Sequence, residues 1–212
     1  MADNTKQFEY IVTIKEGFAS LYRGEEVFVA GDLLWYPVEG DNKTRIAPDI
    51  LVAKGRPPGH RGSYKQWEED GKPPDVVFEI LSPGNRFGEM TRKFQFHDRH
   101  GVGEYYLYDP DRGELSGWVR NDPGKSLEEL EEMEGWTSPS TGVTFHLEGV
   151  DLALTGPGGR RFLTYAELEE QRDAAQKERD VAKRERDAAL EHAKQAEARA
   201  ARLEAKLREL ER

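Results

Sequence analysis

Three consecutive segments constrain the fold more than any others: Asp75 to Leu81 (DVVFEIL), Arg86 to His100, and Glu104 to Asp109 (EYYLYD). The first is short, apolar and β-branched, as expected of a strand covered on both faces. The second sets Phe87, Met90 and Phe94 at helical spacing and runs into Gly101, a helix-closing residue. The third reads as another strand, stopped by Pro110-Asp111-Arg112-Gly113. Strand, helix, strand at these lengths predicts a βαβ unit, whose two strands run parallel through a right-handed crossover.

Other segments add to that nucleus. Phe8, Tyr10, Val12 and Ile14 alternate with polar residues, which favours a half-buried strand over the competing reading, a short helix between Thr5 and Arg23. Val27 to Val38 (VFVAGDLLWYPV) reads as one strand and Arg45 to Ala53 as its hairpin partner. A long irregular loop rich in Pro and Gly is expected from Gly55 to Pro74, with Tyr64 and Trp67 either stacking on a base or anchoring the loop. Glu114 to Arg120 extends the sheet, Leu127 to Glu134 is an acid-rich run, and Gly142 to Leu154 supplies one or two further strands. The layout is a mixed sheet of the α/β (α+β) kind.

Two strands carry acids that an apolar strand has little reason to carry. Asp49 follows Pro48 in the run RIAPDILVA, and Glu79 sits in the middle of VVFEIL. Burying an ionised carboxylate is costly unless a cation or hydrogen-bond donors compensate it, so such acids point to a site. Lys93 lies on the helix after the second strand, and two acids with an amine around one point are the parts of metal-assisted phosphodiester cleavage. Ordinary roles compete: Asp49 can simply open a strand, and Lys93 can pair with Glu89, four residues before it. Asp75 shares a strand face with Glu79, though an acid after two prolines is also common turn chemistry. Asp32 is either a third acid near the site or a strand-edge residue. Lys65, Arg86 and Arg92 are candidates for contact with a phosphate backbone, against the usual fate of solvated surface bases. His97, His100 and His146 lack metal-ligand spacing and are expected to pack or face solvent, while Tyr105, Tyr106 and Tyr108 read as core.

From Thr164 the character of the chain changes. Thr164 and Glu167 form a capping-box pattern, and neither Pro nor Gly follows before Arg212. Leu168, Ala175, Ala182, Ala189, Ala196, Leu203 and Leu210 recur every seventh residue, with Arg172, Arg179, Arg186, Ala193, Ala200 and Leu207 four residues after each. This heptad seam is weak where Arg occupies it and better at its Leu-rich end; a lone helix held by acid-before-base pairs is the alternative. The division is therefore residues 1–163 as a folded domain and 164–212 as a coiled-coil helix that makes a homo-oligomer, a dimer in the simplest case. Residues 166–212 hold 13 acids and 12 bases of totals of 41 and 31, so the folded part carries nearly all of the net charge of −10. That counts against a protein that coats nucleic acid by charge alone, and leaves room for a nuclease with a local basic rim. The absence of Cys excludes disulfides, thiolate zinc sites and a cysteine nucleophile. With no secretory signal and no run near the ~20 apolar residues of a membrane span, the expected location is cytoplasmic, with no membrane partner.

The strings RIAPDILVA, RGSYKQWEEDGKPP, PDVVFEILSPGNRFGEM, Lys93 and GVGEYYLYDP together closely resemble the Uma-two type of restriction endonuclease, a branch of the PD-(D/E)XK nuclease superfamily. The resemblance implies a restriction-endonuclease-like, four-stranded mixed sheet flanked by helices, hydrolysis of phosphodiester bonds in DNA, and a divalent cation, Mg2+ or Mn2+. It assigns Asp49 and Glu79 as the paired acids, the Ile80 carbonyl as a further metal ligand, and Asp75 as auxiliary. The lysine usual two residues after the second acid is replaced here by Leu81, and the resemblance shifts that role to Lys93. The rival expectation is a catalytically inactive, nuclease-derived binding or assembly module that works through its helix; RNA or a nucleotide as substrate would use the same atoms.

Overall fold

Gln7, Ile11, Ile14 and Phe18 recur every three to four residues, and that period prevails over the alternation of Phe8, Tyr10, Val12 and Ile14: Thr5–Leu21 form helix α1 and not a strand. Asn4 caps it, its side chain accepting the Gln7 N–H at 2.8 Å. The computed structural model describes residues 4–210.

The stretch Val27 to Val38 is broken in two. β1 (Val27–Gly31) ends where Asp32 turns left-handed (φ 47°), and β2 (Trp35–Tyr36) lies outside the main sheet. β3 (Ile50–Lys54) pairs antiparallel with β1, so the expected partnership exists but is confined to the second half of the Arg45 to Ala53 run. The loop after β3 is more ordered than its Pro and Gly content suggests. In it β4 (Tyr64–Lys65) pairs in parallel with β2, and a 3-10 turn follows over Gln66–Glu69. Tyr64 serves as an anchor: it is fully buried, stacks on Phe28 and donates to the Lys72 carbonyl at 2.8 Å.

β5 (Val76–Ile80), α2 (Phe87–Arg99) and β6 (Glu104–Asp109) form the expected parallel unit, and Gly101, at φ +88°, supplies the left-handed turn after α2. β7 (Glu114–Val119) and the two-residue β8 (Glu128–Glu129) continue the sheet antiparallel beyond β6. The sheet therefore has six strands in the order β1-β3-β5-β6-β7-β8, and not four. β9 (Thr144–Glu148) and β10 (Asp151–Thr155) make a separate hairpin.

Alternation along the strands gives the sheet two covered faces. Ile50, Val52, Val76, Phe78, Ile80, Tyr106 and Tyr108 pack with Ile11, Ile14 and Phe18 of α1 and with Phe145, Leu152 and Leu154 of the hairpin. Leu51, Ala53, Val77 and Tyr105 pack with Trp35, Tyr64, Phe94, Phe96 and Trp118 on the α2 side. The Val, Leu, Ile and Phe side chains among these contribute about 1.5–3 kcal/mol each by burial, which fixes strand register because a one-residue slip would exchange the faces. α1 lies close on its neighbours because of Gly17: a Cβ there would fall 2.1 Å from the Phe162 ring. The buried Glu104 is fully used by structure, accepting from Tyr106 Oη, Ser138 Oγ and Ser140 N at 2.6–2.7 Å.

The chain falls into two units, divided in sequence between Thr164 and Tyr165. The second is α3 (Tyr165–Leu210), 46 residues of helix with Leu168, Val181, Leu190, Leu203 and Leu207 all 47–58% exposed. Among the described residues no helix is long and apolar enough to cross a membrane.

Candidate active site

Register decides which acids meet. β3 and β5 pair with Ile50 opposite Phe78, so the next pair outward is Asp49 and Glu79, on the face that α2 covers. Asp49 Oδ2 accepts the Ile80 N–H at 2.7 Å, which ties the end of β3 to the end of β5. Glu79 is only 1% exposed. α2 crosses this face with Lys93 and His97, one helical turn apart, both directed at it. Lys93 Nζ donates to Glu79 Oε2 at 2.7 Å, and His97 Nε2 lies 3.4 Å from Oε1. The His97 ring stacks with Trp35 and Tyr105, at centroid separations of 5.9 and 5.1 Å. On the other face of the sheet, Gln7 Nε2 of α1 donates to the Ile80 carbonyl at 2.7 Å.

The site carries more negative charge than its own cation offsets. Burial, followed by the neighbouring Glu79 charge, pushes the Asp49 carboxyl up to about 7, against the weaker opposing pull of the Ile80 N–H and Lys93. For Lys93, burial disfavours the ammonium, but the Coulomb attraction and hydrogen bond of Glu79, with the charges of Asp49 and Glu89, outweigh it and hold the group above the usual lysine range. The Tyr105 hydroxyl is driven well above its ordinary value by burial and then by the two acids. Tyr105 Oη and His97 Nδ1 have no hydrogen-bond partner among the described residues.

Among the described residues no three His, Asp or Glu side chains are grouped to hold a metal ion. The oxygens at these strand ends belong to two carboxylates and the Ile80 carbonyl, which accepts from Gln7 Nε2; all are hard donors. Such a set fits a magnesium-type cation, which binds through one or two carboxylates and keeps several waters.

The other candidates are distributed differently. Asp75 sits at the opposite end of β5, roughly 13 Å along the strand from Glu79, and is occupied by the Lys54 N–H at 2.6 Å and Lys72 Nζ at 3.1 Å. Sharing a strand face with Glu79 does not bring it to the same point. Asp32 is exposed, and its N–H donates to the Asp49 carbonyl at 3.1 Å, so it borders the site through backbone. Lys65 forms an exposed pair with Glu68 at 2.9 Å. Arg86 and Arg92 are exposed around the first turns of α2. Lys93 binds Glu79 and not Glu89.

Two residues at the site were not singled out by their sequence pattern. His97 was expected to pack or meet solvent, yet it packs with a nitrogen turned to Glu79; the available signal was its spacing of four residues from Lys93. Gln7 was hidden by the strand reading of residues 8–14, whereas the helical period places it on the buried stripe with Ile11.

A mixed sheet of this order, with its single parallel pair beside the acid-bearing strand ends, is a nuclease-like fold of the restriction-endonuclease class. The Uma2 family, described as "Putative restriction endonuclease", matches residues 4–153, and the chain belongs to that family. Among solved structures it is similar to "a putative nuclease belonging to DUF820" from Anabaena variabilis, at 19% identity and a TM-score of 0.49 over 66% of this chain and 75% of that one. The comparison with curated proteins gave no match.

Proposed function

We propose that this chain is a divalent-cation-dependent endonuclease that hydrolyses phosphodiester bonds in DNA, with magnesium or manganese as the cation. Asp49, Glu79 and the Ile80 carbonyl are the proposed ligands, and Lys93 the catalytic amine. The observation that carries this reading is Glu79: an acid buried to 1% exposure on an apolar strand, held by an ammonium at 2.7 Å and adjoining a second acid that resists ionisation. A purely structural acid has no need of that neighbour.

A bound divalent cation supplies Lewis-acid polarisation of the scissile phosphate and a water of lowered pKa. The chain's part is positional and electrostatic. Gln7 orients the Ile80 carbonyl, and His97 steadies Glu79 from the α2 side. Lys93 Nζ, once shared between Glu79 and substrate, orients the attacking water or offsets charge developing on the phosphate. The test is nicking of supercoiled plasmid by the full chain. Conversion to the open circle in magnesium or manganese, and none in chelator, is the expected result; no conversion in either cation overturns the reading.

Two copies joined through α3 would suit a double-strand cut, since one site cleaves one strand. Charge pattern favours a parallel pair. With the Arg172 series at a and the Leu168 series at d, Glu178 meets Lys183 and Arg199 meets Glu204 of the second helix, and Glu178 and Glu185 flank the core arginines 179 and 186. Sedimentation should give twice the 24.2 kDa chain mass, and the double change Leu203→Asp, Leu207→Asp should halve it. A wild-type monomer at tens of micromolar would refute the pairing.

A further inference from the structure

The first turn of α2 has a composition that packing does not explain. Phe87 is 90% exposed, the most exposed large hydrophobic side chain among the described residues. Exposing a whole aromatic ring forgoes the gain other aromatics here obtain by burial. On either side of it in sequence stand Arg86 and Arg92, both exposed and neither in an ion pair with any described residue. Arg92 folds back along the turn, its guanidinium 3.8 Å from where a Gly88 Cβ would lie. The helix start also lacks a side-chain cap.

An exposed ring between unmatched guanidinium groups is chemically suited to a nucleic-acid strand, with the ring taking a base face and the cations the phosphates. Position adds to this: Phe87 precedes Lys93 on the same helix by six residues, roughly 9 Å along the axis. We propose that Phe87, with Arg86 and Arg92, is a base-stacking finger that seats a single-stranded or locally opened nucleic-acid strand beside the Asp49–Glu79 acid pair. This deepens the nuclease reading and rests on it. An apolar protein partner would use the ring without the guanidinium groups and would not distinguish an aromatic from an aliphatic side chain.

The test is binding of the full chain to a fluorescent single-stranded oligonucleotide carrying 2-aminopurine, in chelator so that no cleavage intervenes. Wild type is expected to quench the 2-aminopurine on binding. Phe87→Ala and Phe87→Leu should each weaken binding roughly 5- to 100-fold and abolish the quench, while Phe87→Trp should retain both. Arg86→Ala with Arg92→Ala should weaken binding and lower the slope of log affinity against log salt by about 1.4. Because Phe87 is almost wholly exposed, its variants should melt as wild type does. Unchanged binding in Phe87→Ala, full binding in Phe87→Leu, or no binding by wild type overturns the proposal. Plasmid nicking that persists in Phe87→Ala with unaltered binding leaves the nuclease reading standing without the finger. Quenching by a wild type that cuts nothing in magnesium or manganese does the reverse.

Discussion

Glu79→Gln is expected to abolish cation-dependent nicking of plasmid DNA, a loss on the order of 10³-fold or more, while the protein stays folded. Gln is the informative substitution. It fills the same buried space and leaves an amide oxygen to accept from Lys93 Nζ, which lies 2.7 Å from Glu79 Oε2. What it removes is the charge on the side chain that faces Lys93 and His97 and adjoins Asp49. Alanine would remove as much chemistry but would strand a largely buried ammonium, and breaking such a pair costs about 3–5 kcal/mol, so inactivity could then reflect unfolding. Thermal melts of Glu79→Gln provide the control, with a stability loss of about 1–3 kcal/mol from the weakened charged hydrogen bond. Wild-type nicking by this variant would remove Glu79, and with it the two-acid site, from the mechanism.

Asp49→Asn should make the protein more stable above neutral pH while eliminating activity. The sign follows from the Asp49 carboxyl, which titrates near 7 in the fold against an ordinary 3.8. Between those values the folded state holds a proton that the unfolded chain releases, so stability present at low pH is lost as pH rises from about 4 to about 7. Each unit is worth about 1.4 kcal/mol, giving roughly 4 kcal/mol of strain at pH 8 from this one group. Asparagine cannot ionise, and its carbonyl still accepts the Ile80 N–H that Asp49 Oδ2 takes at 2.7 Å. Urea melts of wild type and Asp49→Asn across pH 4 to 8 should therefore diverge, with the variant ahead at the alkaline end. Identical pH profiles would show that Asp49 ionises freely. The same group makes cation binding proton-linked: manganese should raise the wild-type melting temperature at pH 8, less at pH 6, and not in Asp49→Asn. No shift at any pH would leave a nuclease-derived scaffold without a working centre.

A carboxylate that costs stability when ionised is a common signature of a functional site. Here the cost has two sources that can be separated. One is desolvation by burial, and the other is repulsion from Glu79. Lys93 offsets the second for Glu79 itself, leaving Asp49 as the acid whose charge is least compensated.

Much of this was readable in the chain before any coordinates. The parallel β5–α2–β6 unit follows from segment length and period, and Glu79 draws attention because a charge has no business amid VVFEIL unless something binds it. The heptads after Thr164 and their unbroken helix are equally local properties. The α1 segment was the local failure: its alternating aromatics and its three-to-four period are both real, and only the burial of Gln7, Ile11, Ile14 and Phe18 against the sheet selects the helix.

Partnership at the site belongs to the tertiary structure. Asp49 and Asp75 each follow a proline on an apolar run, and the sequence ranks them only by resemblance. The antiparallel register of β3 on β5 separates them physically, bringing Asp49 opposite Glu79 and leaving Asp75 beside Lys54 at the far end. His97 and Gln7 reach the site from helices on opposite faces of the sheet, through contacts spanning 18 and 73 residues of chain. Local pattern determines what each segment becomes and which residues are costly to bury. Long-range register determines which of those residues meet, because a strand face repeats every two residues while its two ends remain far apart.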